Sequence, residues 1–215
     1  MTSKRGRFIT VEGQDGAGKT TNLEFIRSIL KGHGIPVVET REPGGTELGE
    51  QIRDLVLHSA DIDIAPASEL LLIFASRAQH IQHLIRPALE QGEWVLCDRF
   101  TDATYAYQGG GRGMPWEDIC ALENLVQKTL RPDLTLLFDV DVETGRRRAA
   151  QRAPADRFET EGESFKQAVR ATYLKLAHAS PERIKVIAAN QPLDAVQRQV
   201  ARVLEGFISA CGVQE

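Results

Sequence analysis

Short apolar runs alternate along this chain with longer stretches in which apolar residues recur every three or four positions. The short runs are RFITVEG (7–13), PVVETRE (36–42), WVLCDRF (94–100), LTLLFDV (134–140) and IKVIAA (184–189). Each is rich in β-formers and mostly apolar, as strands buried on both faces are. The periodic stretches predict helices. One runs from Gly18 to about Lys31, with Leu23, Ile26, Ile29 and Leu30 at helical spacing. Others are expected over about 47–58, 66–90, 116–129, 142–152, 162–178 and 192–209. Strands separated by helices make βαβ units. The expectation is therefore an α/β fold of three layers, a five-stranded parallel sheet with helices on both faces. Ligands in such sheets bind at the carboxyl ends of the strands, so chemistry is sought in the residues after each strand.

Composition adds limits. The chain has 215 residues, 42% hydrophobic and 26% charged, with net charge −4. That is a usual length for one domain, and no repeat, low-complexity tract or linker divides it, so one domain over 1–215 is expected. The slight acidity gives no reason to expect nucleic acid. The odd number of cysteines, Cys97, Cys120 and Cys211, suggests no disulfide framework. The N-terminus has no apolar segment of signal-peptide type, and no stretch approaches the roughly 20 apolar residues of a membrane span. These features predict a cytoplasmic protein without a membrane partner.

The first strand ends in GQDGAGKT, from Gly13 to Thr20. Followed at once by a helix, this is the phosphate loop that binds ATP or GTP. Gly13, Gln14, Gly16, Ala17, Gly18 and Thr21 would bring backbone groups to the phosphates. Lys19 would reach the β- and γ-phosphates, and the Thr20 hydroxyl would ligate Mg²⁺. Asp15 stands in the middle of the loop, where a carboxylate aimed at phosphates would repel them. Three classes remain open on the loop alone: a kinase of a small phosphorylated metabolite, a GTPase switch, or an ATPase that drives a partner. No N-K-x-D guanine-reading segment occurs. A second, arginine-rich pocket is what a motor ATPase would usually lack. Here Arg41 and Glu42 end the second strand, Arg53 follows on the next helix, and Asp98 and Arg99 end the third. Phe74 and Arg77, three apart on a helix, can look into one cleft.

The segments VEGQDGAGKTT, TREPGGT, CDRF followed by YAYQGGGRG, and RPDLTLLFDV together resemble the bacterial thymidylate kinases, which make dTDP from dTMP and ATP. The resemblance spans nearly the whole chain. It implies a phosphate-loop kinase fold, ATP with Mg²⁺, dTMP as acceptor and a homodimer packed through helices. Carried over residue by residue, it has Asp15 bind the sugar 3′-hydroxyl of dTMP, which resolves the oddity in the loop. Arg99, with Arg41 beside it, holds the dTMP phosphate. Asp98 orders Mg²⁺ and its waters. Arg77 reads a thymine carbonyl, and Thr104 and Gln108 lie along the base. Tyr107 stands where a ribose 2′-hydroxyl would project and excludes it. Many family members put the stacking aromatic four residues before the arginine. Here that slot is Ile73, and Phe74 is taken as the ring. The alternative is another nucleoside monophosphate or deoxynucleoside kinase of the same fold.

Residues 145–164 form an arginine-rich stretch broken by APAD, with Arg146, Arg147, Arg148, Arg152 and Arg157. Phosphoryl transfer needs positive charge around the γ-phosphate, and the loop has no arginine. A mobile lid carrying Arg152 or Arg157 is expected to supply it, with Arg157 the better match. Arg147 and Arg148 are expected on a solvated face. Asn190 and Gln191 follow the last strand, where the resemblance puts adenine between this loop and a lid arginine. His80 and His83 are expected to be surface or core residues and not a metal pair.

Overall fold

The computed structural model describes residues 5–59, 62–150 and 156–212. Its strands are β1 (Phe8–Glu12), β2 (Val37–Arg41), β3 (Trp94–Asp98), β4 (Leu134–Asp139) and β5 (Ile184–Ala188). All pair in parallel in the order β2-β3-β1-β4-β5. From β1 the chain runs out to β2 and returns to β3 on one side, then crosses to β4 and β5 on the other. This reversal opens a crevice at the carboxyl end of β1. The register aligns both Val11 and Arg41 with Asp98, so the chemistry-bearing strand ends share one rim.

Strand alternation splits the core. Ile9 and Val11 face one side, together with Leu136 and Ile187, and meet α1 (Lys19–Gly32) and α9 (Leu193–Ala210) through Ile26, Leu30, Val200 and Leu204. Phe8, Val95 and Cys97 face the other side, against Ile85 and Leu89. A third cluster sets Leu137 and Ile184 against Val169, Tyr173 and Ala177 of α8 (Glu163–Ala179).

The remaining helices carry the site. Helix α2 (Glu47–His58) is capped by Thr46, whose side chain accepts from Gly49 N at 3.1 Å. The expected helix over 66–90 is one rod: α3 (Pro66–His80), a π-helical segment (Ile81–Ile85) and α4 (Arg86–Glu90). Helix α6 covers Trp116–Gln127. Helix α7 runs over Val142–Ala149, capped by Asp141. Residues 151 and 152 of the expected helix, Arg152 included, lie outside the described residues.

One helical stretch has no counterpart in the sequence reading. Thr101–Thr104 form α5, and Tyr105–Gly111 continue it as a π-helix. Three successive glycines disfavour a helix by propensity. Tertiary packing overrides that: a Cβ on Gly110 would lie 2.2 Å from Thr172 Oγ1 of α8. The glycines let the two helices approach, and the widened π turn brings Tyr107 and Gln108 to the cleft. Among the described residues no helix is long and apolar enough to cross a membrane.

Candidate functional site

Two clefts flank the phosphate loop. The first is lined by Asp15, Gly18, Lys19, Arg53, Arg77, Asp98, Arg99, Thr104, Tyr107 and Gln108, among others. The second lies between Gly16, Ala17, Gly18, Thr21 and Asn22 on one side and Arg148, Ala189, Gln191 and Leu193 on the other. Gly16 and Gly18 belong to both, so ligands in the two clefts would meet over the loop. The loop turns through Gly16 at φ 76, where a Cβ would fall 2.0 Å from the Gly145 carbonyl oxygen. Only glycine lets α7 lie that close.

Loop side chains are held from behind. Gln14 Nε2 donates to the Val140 carbonyl at 2.7 Å. Lys19 Nζ donates to the carbonyls of Gly13 at 3.0 Å and Gln14 at 3.3 Å. Burial and the nearby Arg99 pull the Lys19 ammonium below its usual range, against Asp98 and Asp15.

Asp15 turns away from the loop nitrogens. Its Oδ1 accepts from Arg99 Nη2 at 2.6 Å, and its Oδ2 from the Tyr107 hydroxyl at 3.3 Å. Burial works against its charge, but Arg99 and Lys19 outweigh burial and lower its pKa. Arg99 has φ 68, a left-handed conformation that is rare outside glycine. That backbone is held by Arg99 N donating to Val11 O at 3.0 Å and Phe100 N to Glu12 Oε1 at 2.7 Å. Its Nη1 also donates to Gly13 O at 2.9 Å. A strained residue kept at a strand end in a cleft marks a functional position.

At the far end of the cleft Arg77 is 1% exposed. Its Nε donates to Glu42 Oε2 at 2.7 Å, and its Nη2 to Thr104 Oγ1 at 2.9 Å and the Phe100 carbonyl at 3.2 Å. Glu42 is held in turn by His80, whose Nδ1 lies 3.0 Å from Glu42 Oε1 and whose Nε2 lies 2.7 Å from Thr40 Oγ1. His80 is thus a buried support, and Glu42 orients Arg77. Arg77 Nη1 is buried and has no partner among the described residues. Arg53 Nη1 donates to Pro43 O at 2.9 Å, and burial followed by the Arg41 charge lowers its pKa.

Several expected positions fall elsewhere. Arg41 pairs with Glu50 at 2.7 Å and is about half exposed, outside the first cleft. Phe74 does not line the cleft. Ile73 does, and Phe74 packs below with Leu70 and Ile119, its ring centroid 4.8 Å from the Arg77 guanidinium carbon. A three-residue step leaves Phe74 on the inner side of the helix, and the four-residue step points outward to the cleft. Arg157 is turned from the phosphate loop and forms an ion pair with the fully buried Glu69. The guanidinium chose the nearest buried anion, so its expected place over the γ-phosphate is not where it lies. Asn190 Oδ1 accepts from Asp141 N at 3.2 Å, which leaves Gln191 to line the second cleft.

Other residues were missed. Arg148, expected in solvent, lines the second cleft and donates to the Ala189 carbonyl at 2.9 Å. Asp156, Phe158 and Glu159 line the first cleft, although the break after APAD hinted only at a lid. Glu12 is buried and raised to about 8, by burial first and then by Asp102. Nothing in the strand pattern signals that.

The donor set fits a Mg²⁺–nucleotide. Asp98 Oδ1 is buried with no partner among the described residues. It shares the cleft with the Thr20 side chain beside Lys19. Mg²⁺ typically takes one or two protein oxygens and completes its shell with waters and phosphates.

Against this geometry the comparisons are consistent with one another. A family model described as thymidylate kinase matches residues 11–200. A thymidylate kinase from Pseudomonas putida is 55% identical over 206 residues, covering 96% of this chain and 98% of the relative. One from Teredinibacter turnerae is 53% identical over 203 residues, covering 94% and 99%. The crystal structure of thymidylate kinase from Ehrlichia chaffeensis superposes with a TM-score of 0.75 at 35% identity, covering 94% of this chain and 99% of that one. A phosphate loop between two clefts, a first cleft lined by Arg53, Arg77 and Arg99 and a match over nine-tenths of the length lead to one conclusion: this chain belongs to the thymidylate kinase family.

Proposed function

We propose that this chain phosphorylates dTMP to dTDP with ATP and Mg²⁺, dTMP lying in the acceptor cleft and ATP in the second. The observation that carries the acceptor assignment is Arg77. Three contacts lock its guanidinium, and Nη1 remains a buried donor without a partner among the described residues. A buried donor left open costs stability unless a ligand satisfies it, and a base carbonyl suits a guanidinium nitrogen fixed in this way.

The other roles follow from position. Arg99, with Arg53 and Lys19, neutralises the facing phosphates. Asp15 exchanges its bond to Arg99 for the sugar 3′-hydroxyl as Arg99 takes the acceptor phosphate. The Thr20 hydroxyl and Asp98 would hold Mg²⁺, Asp98 through water. The ion, when bound, neutralises phosphate charge. An oxygen of the dTMP phosphate attacks the γ-phosphorus in line, and the bond from that phosphorus to the bridging oxygen breaks to leave ADP. The attacking oxygen is already ionised, so no general base is required. Arg148 and Gln191 flank the adenine, and Arg152 is the lid arginine for the transferred group.

We also infer a homodimer in the cytoplasm. Leu71 on α3 and Leu125 on α6 are 57% and 72% exposed, and the two helices pack side by side. Apolar exposure on neighbouring helices suits a partner copy, and light scattering reads the mass. Cys97 and Cys120 are free thiols.

The function is tested by coupled ADP release with dTMP, dUMP, CMP, AMP and GMP as acceptors. Turnover of dTMP that stops on chelation of Mg²⁺ is expected. Rapid turnover of AMP or CMP with none of dTMP would overturn the assignment.

A further inference from the structure

We propose that Glu69, a residue outside the cleft, fixes the polarity of the Gln108 side-chain amide and so decides which hydrogen-bonding edge of a pyrimidine the cleft accepts. The proposal rests on the acceptor reading above.

Glu69 on α3 is fully buried, and Gln108 on the π segment is 1% exposed. Glu69 Oε1 accepts from Gln108 Nε2 at 2.8 Å. The same carboxylate pairs with Arg112 at 3.3 Å and with Arg157. A carboxylate between two guanidiniums accepts hydrogen bonds and cannot donate them. The Gln108 amide must therefore show Glu69 its NH₂ group, and its Oε1 is turned elsewhere. Among the described residues no donor reaches that oxygen, and Gln108 lines the acceptor cleft with Arg77.

A base at this end of the cleft thus meets one donor, Arg77 Nη1, and one acceptor, Gln108 Oε1. Thymine and uracil present a C4 carbonyl and an N3–H, which match both. 5-Methylcytosine has the shape of thymine but presents a C4 amino group and a bare N3, which oppose both. Buried polar groups left facing their own kind discriminate strongly. Glu69 is not in the lining of the cleft and acts only through Gln108, as a positioning residue. Arg112 and Arg157 complete the device by pairing with the same carboxylate, and Arg112 also pairs with Glu161.

The test compares the parent with Glu69→Gln, whose amide can donate or accept and so frees Gln108 to flip. Calorimetry of the full chain gives Kd for dTMP and for 5-methyl-dCMP. The ratio of the two is expected to fall about tenfold or more in the variant, the worth of one hydrogen bond turned from match to mismatch. A purely structural role would weaken both nucleotides alike, and an unchanged ratio overturns the proposal. Failure of the parent to bind dTMP would overturn the acceptor reading instead. Should Glu69→Gln not fold, the parent still decides. With ¹⁵N-glutamine-labelled protein and bound dTMP, no nuclear Overhauser effect is expected between the Gln108 amide protons and the base. Such an effect would place Nε2 against the base and overturn the proposal.

Discussion

Arg99 Nη2 sits 2.6 Å from Asp15 Oδ1, so the carboxylate of the phosphate loop faces the arginine at the end of β3 and not the loop's own nitrogens. Asp15→Asn should then raise KM for dTMP while ATP binding, measured without dTMP, changes little. Loss of one charge-assisted hydrogen bond costs roughly 1.5–3 kcal/mol. Steady-state kinetics with separate ATP titration checks this, and a variant that loses ATP affinity but keeps its KM for dTMP would contradict it.

Arg157 and Arg152 should separate cleanly. Arg157 serves Glu69, so Arg157→Ala should lower the melting temperature and weaken dTMP binding, with kcat falling less than tenfold at saturation. Removing one partner of a buried ion pair is costly because the other charge stays buried. Arg152→Ala should lower kcat tenfold or more, a cautious floor for an arginine at the transferring phosphoryl group. A collapse of kcat in Arg157→Ala beside a near-parental Arg152→Ala would reverse the assignment.

Arg148 lines the cleft where adenine is proposed to lie. Arg148→Ala is expected to raise KM for ATP several-fold and leave KM for dTMP near the parental value. Equal KM for ATP in both proteins would return Arg148 to the solvent face.

Tyr107 makes edge contacts with Phe158 and Tyr173, at ring centroid distances of 5.4 and 6.4 Å. Its ring lines the cleft where the sugar is proposed to lie. Tyr107→Phe should keep discrimination against the ribo-analogue of dTMP, and Tyr107→Ala should lose it together with stability, since large-to-small changes in a packed site cost about 3–5 kcal/mol. The ratio of kcat/KM for the two sugars reads the effect.

Glu12 titrates at about 8 because burial, and then Asp102, disfavour its charge more than Arg99 and the bonds from Tyr173 and Phe100 N favour it. A carboxyl raised in the folded state binds a proton on folding. Its contribution to stability is unaffected below about pH 4.5, declines as pH rises from there to about 8, and is level above. Glu12→Gln, an isostere of the protonated form, should flatten that decline. Thermal melts at pH 5 and pH 8 measure it, and equal slopes in the two proteins would refute the shift.

The local features of the chain were decided by its sequence. Short β-rich runs marked the bounds of β1 to β5, but only β1, β3 and β4 are buried as such runs suggest; β2 and β5 stand at the sheet edges and are partly exposed. The loop from Gly13 to Thr20 could be read because glycines at fixed spacing are what close phosphate approach requires. Helices with apolar residues at 3.6 spacing came out within a residue or two, for example Glu47–His58. Tertiary structure alone decided the helix from Thr101 to Gly111, where contact with α8 overrides the poor propensity of three glycines. It alone decided which anion each arginine meets. A guanidinium at the end of several rotatable bonds reaches whichever carboxylate, carbonyl or ring the fold brings near. Arg41 therefore went to Glu50, Arg157 to Glu69 and Arg148 to the second cleft, and Arg77 Nη1 was left without a partner among the described residues. Sequence spacing sets which residues share a helix face, but partners lying 9 to 88 residues apart along the chain are chosen only when the sheet and its helices close around them.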